Sequence, residues 1–263
     1  MEQEIVTQQQ DGIFEIILNR PKKRNALRAQ TLDAIARAMQ HAETLAEVRV
    51  VLIRGEGKNF SVGLDFETMG GMPELLGDDW RHKGHAATRA WQIPIQRIQD
   101  SPLPTIALLH SYTLGAGFEL ALGCDLRIAA DYTIISLEEA KLGIIPDAGG
   151  TTRLTHLVGA ARAKEMIFTG RRIDAETALN WGLVNQVVPK DDLGAAGRKL
   201  AEEIMSCAPL AVSAAKRAIN AIEGAPSGLY HEMVEQYPLF HTQDVQEGVQ
   251  SVMERRTANW QGR

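Results

Sequence analysis

The run "VRVVLIRG", Val48 to Gly55, places apolar side chains at four consecutive positions, 50 to 53. Successive side chains of a strand face opposite sides of a sheet. Such a run therefore needs cover on both faces, which is the situation of a parallel strand sandwiched between helices. "TIALLHS", Thr105 to Ser111, repeats the pattern. Between the two lies a segment from Thr31 to Leu45 with Leu32, Ile35, Ala36, Met39, Ala42 and Leu45 at helical spacing. Alternating strands and helices, followed by helices alone, predict an α/β core with a C-terminal helical region.

The rest of the chain fits this frame. "EIVTQQQ" and "IFEIIL" flank Asp11-Gly12, a hairpin signal. Residues 70–84 read as an exposed, partly mobile excursion, and a helix is expected from His85 to Asp100, stopped by Ser101-Pro102-Leu103-Pro104. "DLRIAA" and "TIIS" read as short strands. "AARAKEMIF", "DAETALNWG" and stretches over Asp191–Cys207, Ala211–Ile222 and Asp244–Arg256 read as helices. Asp244 with Glu247 resembles a capping box. The 263 residues suffice for one large domain or a domain with a smaller helical appendage.

Composition narrows the function. The net charge is −5, so no broad basic surface awaits nucleic acid or an anionic membrane. The exception is Lys22-Lys23-Arg24. Two cysteines, Cys124 and Cys207, have no metal-ligand spacing and suit a reducing compartment. The start "MEQEIVTQQQDG" is polar and acidic, and no apolar run approaches the ~20 residues of a membrane span. A cytoplasmic location is expected. "GAGFEL" has Leu120 where a dinucleotide fingerprint needs its third glycine, and "NFSVG" has Asn59 where a nucleophile elbow needs its first. His82 and His85 sit in a polar stretch and read as solvated.

Three segments carry the chemistry. "NFSVGLD", Asn59 to Asp65, and "SYTLGAGFEL", Ser111 to Leu120, each put glycine just past a buried strand. Glycine permits tight turns and exposes main-chain N–H groups. Two such turns on neighbouring strands could hold one oxygen between two amides, or be ordinary strand–helix turns. Glu119 stands alone in the small and apolar run from Leu114 to Leu122, and a carboxylate is rarely buried without a partner. "SLEEAKLGIIPDAGGTTRL", Ser136 to Leu154, offers Ser136 as a helix cap and adjacent Glu138 and Glu139, of which one can face inward. Asp147 beside glycine could also be a turn-forming residue.

Together with "LNRPKKRNAL", Leu18 to Leu27, and "GAARAKEMIFTGRRIDAETALNWGLVNQVVP", Gly159 to Pro189, these segments resemble the enoyl-CoA hydratase/isomerase, or crotonase, superfamily. The resemblance implies a spiral of ββα units over residues 1–200 and a helical oligomerisation region over 201–263. It implies a homotrimer or dimer of trimers acting on an acyl-CoA thioester, with coenzyme A brought by the substrate and no other cofactor or metal. Nucleic acid and membranes are not expected partners. By position, the oxyanion donors would be the N–H groups of Leu64 and Ala116. Coenzyme A would lie along Lys23, Arg24, Ala26, Val62 and Asp65, with Phe240 and Trp260, of this subunit or a neighbouring one, closing its pocket. Glu119 and Glu139 match the glutamate pair of hydratases that add water across a 2,3 double bond. Asp147 matches an aspartate of double-bond isomerases, so isomerisation through Asp147 and Glu139 is the alternative. A non-catalytic acyl-CoA-binding scaffold is the reading from a different class.

Overall fold

The computed structural model describes residues 3–223 and 225–260. The chain opens with the antiparallel pair β1 (Ile5–Gln10) and β2 (Ile13–Leu18), in which Gln10 faces Ile13. Asp11 and Gly12 between them both have positive φ, 51° and 80°, the geometry a two-residue hairpin turn requires. α1 (Ala29–Ala42) then crosses to β3 (Val50–Gly55). A short 3-10 helix over Phe66–Gly71, α2 (Met72–Leu76) and another 3-10 turn over Trp80–Lys83 lead into α3 (Gly84–Asp100). β4 (Thr105–Leu109), β5 (Tyr112–Leu114), α4 (Ala116–Leu122), β6 (Leu126–Ala130) and β7 (Ile134–Ser136) follow in quick succession.

The second half is mainly helical. α5 (Gly150–Thr169) is interrupted at Gly159, where φ is 78°. β8 (Ile173–Asp174), α6 (Ala175–Trp181) and β9 (Gln186–Val188) complete the strands. α7 (Leu193–Met205), α8 (Pro209–Glu223), α9 (Ala225–Leu239) and α10 (Gln243–Glu254) close the fold.

Six strands form one sheet in the order β1-β2-β3-β4-β6-β9, and every pairing after the first is parallel. A smaller sheet, β5-β7-β8, stands over it. The double-sided burial expected of "VRVVLIRG" is met. Val51 and Ile53 enter the core shared with α1 and α3, whereas Val50 and Leu52 enter a second core that contains Leu193 and Ala201 of α7. β4 divides in the same way, Ala107 and Leu109 to one side and Ile106 and Leu108 to the other. α1 buries Leu32, Ile35 and Met39 completely, each contributing about 1.5–3 kcal/mol.

Several local expectations need correcting. The stretch from 70 to 84 is divided: residues 74–75, 77–79 and 82–83 are exposed as expected, whereas Met72 and Trp80 are buried in the main core. Ser136 does not cap a helix. It ends β7, and the next helical turn, Glu139–Leu142, has no side-chain cap. Thr242, not Asp244, caps α10 by accepting from the Val245 amide, and Glu247 pairs with Arg256. α9 was not foreseen. The divide at residue 200 falls inside α7, which belongs to the core, and residues 1–2 and 261–263 lie outside the described residues. Among the described residues no helix is long and apolar enough to cross a membrane.

Candidate active site

Two turns meet beside the ends of β3 and β5. Leu27 donates its amide to the Gly63 carbonyl (2.6 Å) and accepts from the Asp65 amide (2.9 Å), which fixes the first turn. The Leu114 amide donates to the Ser61 carbonyl (3.0 Å), which ties the second turn to it. Gly63 has φ 88°, and a Cβ there would sit 2.7 Å from the Leu114 carbonyl and 3.3 Å from the Ala116 nitrogen. Only glycine allows that approach. The Leu64 and Ala116 amides donate to no acceptor among the described residues, and both residues line one cavity of about 190 Å³.

Glu119 reaches that cavity from the first turn of α4, a helix whose every residue is buried. Its Oε1 accepts from the amides of Ala148 and Gly150, both at 2.9 Å. The lone carboxylate of an apolar helix therefore has its partners in the loop ahead of α5. Glu139 comes from the helical turn after β7. Its Oε1 lies 2.9 Å from the position a Gly115 Cβ would take, and Gly115 itself adopts φ 51°, ψ −130°. Its Oε2 is buried with no hydrogen-bond partner among the described residues. Glu139 also lines the cavity, so an unpartnered carboxyl oxygen stands close behind its wall.

Asp147 lines the same cavity, half-buried, and its Oδ2 accepts from the Thr88 hydroxyl (2.9 Å). Gln92 Nε2 donates to the Asp147 carbonyl (2.8 Å). A fourth carboxyl was not anticipated: Glu232 of α9, 3% exposed, stands behind the loop. It accepts from Gly149, from the Thr152 amide and from the Thr152 hydroxyl, at 2.7–2.8 Å. Its only sequence signal was a Glu at helical spacing among apolar residues in a stretch that also contains glycine and proline.

Crowded carboxyls in a dry site resist ionisation. Burial pushes Glu119 well above the usual carboxylate range, and the charges of Glu139, Asp147 and Glu232 push it further, while the Gly150 amide acts against them. Burial lifts Glu139 to about 8, with Asp147 and Glu138 adding to the rise. Burial lifts Asp147 to about 7 against the lowering hydrogen bond from Thr88. Two amides offset part of the rise on Glu119, and no donor reaches Glu139 Oε2.

The remaining expected positions divide. Val62 and Phe240 line the cavity, and Phe240 packs edge-on against Trp80 with centroids 5.2 Å apart. Met72, Trp80 and Trp91 line it too while remaining buried. Lys23 and Arg24 are exposed on the turn beside it: the Arg24 carbonyl accepts from the Val62 amide (3.2 Å), and Lys23 pairs with Glu67. Ala26 is buried, and its carbonyl accepts from Arg20. Asp65 is off the expected path. It is 4% exposed, bonded to Arg20 at 2.7 Å, and it accepts from the Glu67 amide, so its work is structural. Trp260 is 46% exposed and does not border the cavity of its own chain. Among the described residues no three His, Cys, Asp or Glu side chains are arranged to hold a metal ion.

A mixed sheet wound with helices, with two free amides and the carboxyls of Glu119, Glu139 and Asp147 on one cavity, defines a crotonase-type fold. The enoyl-CoA hydratase/isomerase family model matches residues 8–263, and the chain belongs to that family. It is 38% identical over 260 residues to carnitinyl-CoA dehydratase of Salmonella typhi, with 95% of each chain covered. Among solved structures it resembles an enoyl-CoA hydratase from Mycobacterium avium subsp. paratuberculosis K-10 (TM-score 0.87, 29% identity, 99% of this chain and 100% of that one). It also resembles a carnitinyl-CoA hydratase from Mycobacterium avium (TM-score 0.87, 31% identity, all of both chains). The chain is thus an enzyme of the crotonase family, and the relatives it matches are named for hydratase and dehydratase reactions.

Proposed function

We propose that the protein adds water across the 2,3 double bond of an enoyl-CoA thioester, or removes it in reverse. The observation that carries this reading is the pairing of Glu119 and Glu139 on one cavity that Leu64 and Ala116, with their free amides, also line. The thioester oxygen lies between those amides. Glu119 takes a proton from a water molecule, and the water oxygen bonds to C3. The double-bond electrons move to form the enolate, whose oxygen charge the amides stabilise. Glu139 then gives its proton to C2. The balance needs only water and a shuttled proton, so no further cofactor is invoked. Loss of one such amide donor in other enzymes costs roughly 2.7–4 kcal/mol of transition-state stabilisation. Lys23 and Arg24, exposed beside Val62, suit the phosphates of coenzyme A.

The test is loss of the conjugated enoyl-thioester absorbance with crotonyl-CoA. Wild-type enzyme should consume it, and Glu139→Gln or Glu119→Gln should not. A Glu139→Gln variant with wild-type turnover refutes the assignment. Carnitinyl-CoA belongs in the same panel, because the Salmonella relative is named for its dehydration. Asp147 supports a second reading, double-bond migration with Asp147 as base, since it borders the cavity and is held near neutral pKa. A shifted double bond in a 3-enoyl or 3,5-dienoyl thioester would favour it. Exposed Phe168, Leu210 and Ile219 support assembly into a trimer or pair of trimers, which sedimentation equilibrium reads.

A further inference from the structure

Helix α9 grips the loop that carries Asp147 along one face. Leu229, Glu232 and Gln236 are spaced i, i+3 and i+7, which aligns them on a helix. The Leu229 carbonyl accepts from Gln92 (2.9 Å), the same side chain that holds the Asp147 carbonyl. Gln236 Oε1 accepts from the Ile145 amide (3.0 Å). Glu232 sits between them with three donors on its two oxygens. Gly228 makes the approach possible, because a Cβ there would stand 2.3 Å from the Thr152 hydroxyl.

The amides of the loop alternate between two carboxyls. Ala148 and Gly150 donate to Glu119, and Gly149 and Thr152 donate to Glu232. The amides that serve the two carboxyls sit on successive planar peptide units, so restraining the Gly149 unit narrows the orientations open to its neighbours. Glu232 does not border the cavity, so it meets no substrate atom. We infer that Glu232 is a positioning residue: from α9 it clamps the Gly149–Thr152 turn and so sets the amide pair that aims the Glu119 carboxylate. Docking of the C-terminal helix and readiness of Glu119 then become one event. This rests on Glu119 being the water-activating carboxylate proposed above. The charged groups facing Glu232 are Arg153 of α5, Glu119 of α4 and Asp147 of the loop, with Asp100 of α3 behind Arg153.

Glu232→Gln tests it. The glutamine oxygen can still accept from Thr152, but its amide group confronts the Gly149 N–H, and the negative charge is gone. Expected are a fall of about 10- to 100-fold in kcat for enoyl-CoA hydration, given that small misplacements cost up to 10²-fold, and a KM within about twofold of wild type. Expected as well in Gly228→Ala, where the Glu232 charge stays, is a shift to higher pH of the Glu119 carboxyl titration as its amide donors loosen, followed by ¹³C NMR in the ligand-free protein. Gly228→Ala, which keeps the charge but pushes α9 off Thr152, should reproduce the kcat loss. If Glu232→Gln does not fold, Thr152→Val carries the same two readouts. A kcat loss with the Glu119 titration unmoved is general loosening and overturns the inference, and so does a moved titration with wild-type kcat. If wild-type protein hydrates no enoyl thioester, the hydration reading falls on its own, and an unmoved titration still overturns the clamp.

Discussion

Replacing Glu139 by glutamine should make the protein more stable at neutral pH while abolishing turnover. Folded Glu139 keeps its proton up to a pH of about 8, whereas the unfolded chain releases it near 4.5. Between those values the folded state binds more protons than the unfolded one, so stability is greatest below the unfolded value and falls as pH rises. Each pH unit spent in that window costs about 1.4 kcal/mol per proton. From pH 5 to pH 7 the wild type should therefore lose roughly 2–3 kcal/mol that the neutral glutamine does not lose. Glutamine has nearly the same shape, and the oxygen it replaces at Oε2 has no donor to forfeit. Urea unfolding of both proteins at pH 5 and pH 7, with equal m-values, reads the difference directly. Parallel pH dependences would refute the claim that burial holds this proton, and with it the assignment of Glu139 as proton donor.

Other perturbations separate structure from chemistry. Gly115→Ala forces a side chain onto φ 51°, ψ −130° and 2.9 Å from Glu139 Oε1; it should cost about 1–3 kcal/mol in a thermal or urea melt and most of the activity. Asp65→Ala removes a charged hydrogen bond from Arg20, which keeps Glu4 and the Ala26 carbonyl, and should cost about 1–3 kcal/mol, with kcat per folded molecule unchanged. Lys23→Glu with Arg24→Glu should raise KM for a CoA thioester severalfold, more at low salt, and leave kcat and the pantetheine-thioester KM alone.

What could be read in the sequence follows a physical rule. β3 and β4 were legible because a strand covered on both faces must be apolar throughout, and the hairpin because Asp11-Gly12 tolerates the positive φ it needs. Glu119 stood out because it interrupts an apolar run, and the two turns because glycine follows a buried strand, whereas the choice of Glu139 over Glu138 and of the Leu64 and Ala116 amides came from the family resemblance. α9 stayed hidden for the opposite reason. Its inward face carries Glu232 and Gln236 beside Leu229 and Met233, so burial there is polar as well as apolar and leaves no clean stripe. Pro226, Gly228 and Pro238 also argue locally against a helix, and tertiary hydrogen bonds override them. Asp65 misled because a cavity-side position and a buried ion pair look alike in one dimension; Arg20, 45 positions away, decides between them.

The walls of the cavity come from distant stretches of the sequence: Val62 and Leu64 on the one hand, Phe240, Val245 and Val252 on the other. The chamber therefore lacks its last side until residue 252 has left the ribosome. A copy cut short ahead of α10 would carry both glutamates and both glycine turns and still leave the chamber open.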